Sequence, residues 1–396
     1  MKSQIIFLGT YPPRECGIAT FTQDLTVAMN TRFNPEIQAR VCAMNNGVTF
    51  DYGEEVIFKI DEYDLENYIK IAKKINKDKT IKVVSIQHEF GIFGGKYLNY
   101  LSAFMETVQK PVIITLHSVV PNPPENIKSI MQYLVLKATK LVVMANLAVD
   151  ILERDYGIDR SKVVVIPHGI HEVANTSGQE TKVKLKCEGR LVLSSFGLIS
   201  GGKDYETIIK SLPAVVDKFP NVLYLIVGAT HPGIVRQEGE KYRNYLIGLI
   251  EGLGLEKNVQ FVNKYLELPK LMDYLLATDI FLQSGKGVSQ ITSGTLCYAM
   301  GCGCPVICHP FIHAQEAVNS ERGILVELGN STSYSEAIIK LLSDPVLRQE
   351  LSNNAYNYTR KMIWPRVAES YLDVFQEYLK EGVIAEKTSI GSSFLE

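Results

Sequence analysis

No charge of either sign predominates in this chain. Forty-one Lys and Arg stand against 43 Asp and Glu, a formal net charge of −2. Nucleic-acid binders show a basic excess or a dense Lys/Arg stripe; neither is present, so no nucleic acid is expected as a partner. Long apolar runs are also missing. None approaches the roughly 20 residues that span a bilayer, so no transmembrane segment is expected. Ile5-Ile6-Phe7-Leu8 gives way to Gly9-Thr10 too soon for the apolar core of a signal peptide, and reads as a first buried strand. Cysteine is scarce and odd in number: seven, four of them crowded at Cys297, Cys302, Cys304 and Cys308. Cys302-Gly-Cys304 is not the Cys-x-x-Cys spacing of a zinc knuckle, so the thiols read as small buried residues and no metal site is expected. With neither a disulfide framework nor an export signal, the expected compartment is cytoplasmic.

What is abundant is apolar sequence in short pieces. Hydrophobic residues make up 46% and charged residues 21% of 396 positions, the balance of a globular chain long enough for two domains. Runs rich in Val and Ile recur at Ile5–Leu8, Arg40–Met44, Val56–Ile60, Ile81–Ile86, Val112–Leu116, Leu141–Met144 and Val163–Ile166. They are apolar almost throughout, as strands buried on both faces of a parallel sheet are. Helical stretches are expected between them at Gly17–Thr31, Leu65–Lys74, Lys96–Val108 and Asn146–Tyr156. From His171 to Glu188 the chain turns polar and aperiodic, which reads as a connection. The β/α alternation restarts at Arg190–Phe196 and continues through Val222–Val227, Val259–Val262, Asp279–Leu282, Pro305–Cys308 and Gly323–Val326. After Leu341 only helices are expected, two of them opened by Asp344-Pro345 and Trp364-Pro365, then a frayed tail over the last dozen residues. The fold class is α/β with two Rossmann-like doubly wound parallel sheets. The expected division is 1–170, a linker 171–189, 190–362, and a helix with tail over 363–396 returning to the first domain. Ligands of such sheets bind at the carboxyl ends of the strands, so one ligand is expected on each wall of a cleft.

Candidate site residues lie at those ends. The loop after the first strand, Gly9 to Thr20, lacks G-x-G-x-x-G, which speaks against an NAD site; Gly17 opens a helix whose amides either cradle an anion or merely turn the chain. The fourth strand runs into His88-Glu89-Phe90-Gly91 and the fifth into His117-Ser118. Polar groups there suit sugar hydroxyls, presented without burial inside the sheet. In the second half, Gly197-Leu198-Ile199-Ser200-Gly201-Gly202-Lys203 follows a strand and opens a helix, and Lys203 there suits a phosphate. Thr292-Ser293-Gly294-Thr295 puts hydroxyls and free amides at a helix start, an anion site. Gly301 and Gly303 stop that helix.

Taken in order, these segments resemble the family-4 (group 1) retaining glycosyltransferases with the GT-B fold. The landmarks are the Gly17 loop, the His117 strand end, Val165-Ile166-Pro167-His168-Gly169, the Gly197–Lys203 loop, Val227-Gly228-Ala229 and Ala299-Met300-Gly301-Cys302-Gly303-Cys304-Pro305-Val306-Ile307. The resemblance implies a hexosyltransferase, with mannose or glucose moving from a nucleoside-diphosphate sugar to a carbohydrate acceptor, without metal or other cofactor. The absence of Asp-x-Asp agrees with that. It implies that Lys203 neutralises the donor diphosphate, joined by Gly17 and by Thr292, Ser293, Gly294 and Thr295. His117 would contact the transferred sugar, His88 and Glu89 would line the acceptor side, and Gly228 would lie at the nucleotide. The departing phosphate oxygen would help deprotonate the acceptor on the same face of the sugar. Three positions depart from the family pattern. Gln290 and Tyr298 stand where two glutamates are usual, the second of which holds the ribose, and Leu198 stands where an Arg partners the Lys. Gln290 is therefore assigned to the sugar, Tyr298 to the nucleotide, and Glu316 to sugar or ribose in compensation: a divergent subgroup. Other readings of these residues are a phosphorylase using a sugar 1-phosphate, which the missing ribose glutamate favours, and a non-catalytic sugar-binding protein. An epimerase would need clustered carboxylates that are not found.

Overall fold

A computed structural model describes residues 2–174 and 178–379; the expected frayed tail lies outside them. Among the described residues thirteen strands form two sheets in which every pairing is parallel. The first comprises β1 (Ser3–Gly9), β2 (Ile37–Asn45), β3 (Val56–Asp61), β4 (Ile81–His88), β5 (Val112–Leu116), β6 (Lys140–Val143) and β7 (Val163–Val165), in the order β3-β2-β1-β4-β5-β6-β7. The second comprises β8 (Leu191–Phe196), β9 (Val222–Val227), β10 (Val259–Val262), β11 (Ile280–Gln283), β12 (Val306–Cys308) and β13 (Gly323–Leu325), in the order β10-β9-β8-β11-β12-β13. Within each sheet helices join successive strands, the usual connection of a parallel pair, except that β2 passes to β3 through residues 46–55 without one.

Central strands are sealed on both faces: all five residues of β5 and all six of β9 are buried. At an edge the pattern changes. In the edge strand β3 burial alternates, with one face more covered than the other. Helix Leu65–Lys77 follows the 3.6-residue rule, burying Tyr68, Ile71, Ala72 and Ile75, and Asp64 caps it by accepting from the amides of Glu66 and Asn67.

Two helical expectations are corrected. Lys96–Val108 is a 3₁₀ turn, Lys96–Leu98, followed by a helix, Asn99–Thr107, and the break falls where Leu98 takes a left-handed φ of 64°. The polar connection contains a short helix, Gln179–Lys184, anchored by one buried ion pair, Lys182 Nζ to Asp279 Oδ2 at 2.6 Å. A single Lys held by a carboxylate 97 residues away leaves no apolar periodicity to read.

The described residues divide into two compact units, residues 2–167 with 365–379, and the described part of residues 168–364. In the first, the helix opened by Trp364-Pro365 packs onto the sheet: the Phe375 ring lies 6.2 Å from that of Phe7, and Tyr371 Oη is 2.9 Å from Thr115 Oγ1. In the second, Leu193, Tyr224, Ile226 and Leu282 from the sheet form one core with Ile208, Leu212 and Ile338 from its helices. Among the described residues no helix is long and apolar enough to cross a membrane.

Candidate active site

Strand order reverses between β1 and β4 in the first sheet and between β8 and β11 in the second. At such points the loops diverge and leave a crevice outside the carboxyl ends of the strands. Most of the candidate residues lie at or beside these two places.

In the first unit, β1 ends at Gly9, where a Cβ would come within 2.9 Å of Gln87 Cβ on β4. Gln87 is buried and its Oε1 lies 3.0 Å from His117 Nε2. A carbonyl oxygen only accepts, so His117 carries a proton on Nε2. Phe21 meets the His117 ring edge-on at 4.7 Å and stands one turn into the helix that Gly17 opens. Nothing lies within 4 Å of a Cβ built on Gly17, so packing does not account for that glycine. The Gly17 and Ile18 amides have no hydrogen-bond partner among the described residues. Glu89 accepts from the Phe90 amide at 2.8 Å and from Ser118 Oγ at 2.5 Å, tying the two strand-end loops together. Gly17, Glu89 and His117 are thereby brought to one edge.

His88 is a correction. Expected as a presented polar group, it is fully buried between Phe90 and Phe93, and neither ring nitrogen has a partner among the described residues. Burial pushes its pKa down to about 4, because the charged imidazolium loses its hydration and gains no counter-charge.

In the second unit, β8 and β9 end in two glycines that must be glycine. Gly197 has φ +126° and Gly228 φ +142°, and a Cβ on Gly228 would sit 2.2 Å from Gly197 O. Against Gly197 lies Thr295, whose methyl is 3.4 Å from where a Cβ would stand. Lys203 closes a 3₁₀ turn, Gly201–Lys203, and Asp204, left-handed at φ 52°, separates it from the helix Tyr205–Lys218. It thus precedes the helix instead of sitting in its first turn. The ammonium is half-buried, no carboxylate pairs with it among the described residues, and burial lowers its pKa. Ser284 Oγ lies 2.8 Å from both Lys203 O and Asp204 O, fixing this turn to the end of β11.

The neighbouring residue, Gln283, holds the other half of the site. Its Nε2 donates to Ser293 Oγ at 3.1 Å, and Thr295 Oγ1 donates to its Oε1 at 3.4 Å. Ser293 is the N-cap of helix Gly294–Gly301, accepting from the Leu296 amide. The Ser293 and Thr295 hydroxyls are therefore engaged within the protein, where the sequence pattern presented them to a ligand. Thr292 Oγ1 is buried without a partner among the described residues. The Ser293 amide donates to His313 Nδ1 at 2.9 Å. What is left at the helix start is two amides, Gly294 and Thr295, with no partner among the described residues, aligned with the positive end of the helix dipole.

Of the other expected residues, Gln290 is exposed and donates to Thr292 O at 3.0 Å, and Glu316 is half-buried on the helix Ile312–Ala317. Tyr298 is buried, stacked on Phe196 at 6.2 Å and edge-on to His168 and His171. Residue-by-residue reading overlooked three groups here. Gln283 ends β11 and His309 follows β12, where its Nε2 donates to Gly287 O at 2.9 Å. His313 stands three residues before Glu316, and burial pushes its pKa down to about 4. Among the described residues no group of three or more His, Cys, Asp or Glu side chains is placed to hold a metal.

Residues 178–358 match the family described as glycosyl transferases group 1. The chain is 24% identical over 261 residues to a D-inositol 3-phosphate glycosyltransferase of Actinosynnema mirum, a match over 62% of this chain that spans only 61% of that relative. It is 22% identical to an uncharacterized glycosyltransferase of Methanocaldococcus jannaschii, over 94% of this chain and 97% of the relative. Among solved structures, Anabaena HepE in complex with UDP and glucose superposes with a TM-score of 0.73 at 17% identity, covering 95% of this chain and 100% of the other.

Proposed function

We propose that this chain, which has the GT-B fold, is a group 1 glycosyltransferase that moves a hexosyl group from a nucleoside-diphosphate sugar to a carbohydrate acceptor with retention of configuration. One observation carries the reading. The consecutive residues Gln283 and Ser284 hold two electropositive groups at the β8–β11 reversal: the turn of Lys203 and the start of the helix bearing the Gly294 and Thr295 amides. Lys203, half-buried and with no carboxylate pairing with it among the described residues, and the two unbonded amides are matched to a dianionic diphosphate.

In this reading the leaving diphosphate departs toward Lys203 and the helix start, which stabilise the charge as the C1–O bond breaks. The acceptor oxygen bonds to C1 on the same face, and its proton passes to the departing phosphate oxygen. Lys203 and the amides supply the stabilisation that a divalent ion supplies in other transferases, so turnover is expected to be the same with chelator as with added Mg²⁺. Glucose is a candidate sugar, since HepE holds UDP and glucose; mannose is the other. Glu89 and His117, at the first sheet's reversal, serve the acceptor and the transferred sugar.

The test is calorimetric binding of UDP, GDP, ADP and inorganic phosphate, without metal, to the protein and to Lys203→Ala. One nucleoside diphosphate is expected to bind, and the variant to lose that binding together with about 100-fold or more in turnover, the scale for a preorganised charge at a leaving group. Binding of inorganic phosphate with no nucleotide preference would replace this reading with a phosphorylase.

A further inference from the structure

The loop between β11 and the Gly294–Gly301 helix carries Gln290, Thr292 and Ser293, and four bonds tie it to the segment after β12. His309 Nε2 donates to Gly287 O at 2.9 Å, the Ile312 amide to Val288 O at 2.9 Å, the His313 amide to Gln290 O at 3.1 Å, and the Ser293 amide to His313 Nδ1 at 2.9 Å. The last differs in kind. It is the one bond of the four in which a side chain takes an amide from the residue that caps the helix, and His313 is 5% exposed.

We propose that His313 is a positioning residue for the donor diphosphate: by accepting the Ser293 amide it fixes the turn into the helix so that the Gly294 and Thr295 amides converge on the phosphate. This rests on the reading of the helix start as the diphosphate site. A helix start leaves its first amides without intrahelical partners. Here the Leu296 amide goes to Ser293 Oγ and the Ser293 amide to His313, which leaves two successive ones. Without an acceptor at 313 the Ser293 amide is buried unpaired, or the residue rotates to find a partner. Rotation would take the Oγ cap with it, since Ser293 is held in extended conformation at φ −133°, ψ 101°. Accepting on Nδ1 also places the imidazole proton on Nε2. The ring is therefore neutral and brings no charge of its own to the anion site.

Three variants test this, with UDP, GDP and ADP as probes. His313→Asn keeps a side-chain acceptor at the same reach, His313→Leu removes it, and His313→Asp keeps the acceptor but adds a negative charge beside the anion. The nucleoside diphosphate that binds wild type is expected to bind His313→Asn within threefold of wild type, and both His313→Leu and His313→Asp at least tenfold more weakly. KM for the nucleotide sugar should rise in step. Thermal midpoints are compared in parallel; if His313→Leu does not fold, the Asn/Asp contrast decides alone. Equal binding by Asn and Asp, or wild-type binding by Leu, would overturn the role of His313 while leaving the diphosphate site standing. Failure of the wild type to bind any of the three probes would overturn the diphosphate site itself, and the inference with it.

Discussion

Two buried imidazoles weaken the folded chain in acid. His88 and His313 both have pKa values pushed down to about 4 by burial, against about 6.5 in an unfolded chain. The folded state then holds fewer protons than the unfolded one between those values, so stability is full above pH 6.5 and falls as pH drops toward 4. At about 1.4 kcal/mol per pH unit, each imidazole accounts for roughly 2 kcal/mol by pH 4.5. His88→Phe removes one titration together with two unpartnered ring nitrogens. Urea midpoints at pH 7 and pH 4.5 are expected to differ less in that variant than in wild type, by about 2 kcal/mol. Equal losses in the two proteins would mean that His88 is not buried in neutral form. Residue identity at these sites was partly legible beforehand. His117 and Lys203 announce themselves as polar groups after apolar strands, whereas His313 does not, because its importance lies in one bond to Ser293. Tyr298 is the reverse case: position in a motif assigned it to the nucleotide, and the fold surrounds it with Phe196, His168 and His171.

At the scale of elements, the paired strands β8 and β9 matter for how they end. Gly228→Ala would place a methyl 2.2 Å from Gly197 O on a residue at φ +142°. Strained backbone and overlap together cost about 2 kcal/mol or more, and the displaced Gly197 would press on Thr295. A lowered melting temperature and at least tenfold weaker nucleoside-diphosphate binding are expected. Gly17→Ala is the contrast: its added methyl meets nothing, so its melting temperature should hold; a large drop there would contradict the geometry of that loop. The elements themselves were largely readable. Val112–Leu116 and Val222–Val227 begin and end where the apolar runs do, because strands buried on both faces are apolar almost throughout. Where burial is one-sided or the element short, as in β3 and Gln179–Lys184, the pattern weakens. The left-handed Leu98 that splits one helix has no signature at all, since leucine is a good helix former.

For the whole molecule, the decisive feature is that the chain returns to its first unit after completing the second. Phe375, fully buried, packs on Phe7 and Tyr371. Phe375→Ala should destabilise by about 3–5 kcal/mol, the usual cost of an emptied aromatic site. The loss should be confined to the first unit. Hydrogen exchange is expected to quicken in β1, β4 and β5 and to stay unchanged in β8 to β13; acceleration of similar size in both sheets would refute the division into separately packed cores.

The amino-acid sequence by itself determined the class of fold, the two parallel sheets and the strand ends where chemistry belongs. Those follow from local patterns: unbroken apolar runs need cover on both faces, and polar residues gather where the runs end. Tertiary structure alone decided which polar groups meet. Ser293 finds His313 twenty residues on and Thr115 finds Tyr371 across 256 residues, while His88, a neighbour of the strand end, is shut away among phenylalanines. Hydrogen bonds and desolvation depend on distances in space of a few ångströms, and no spacing along the chain encodes those.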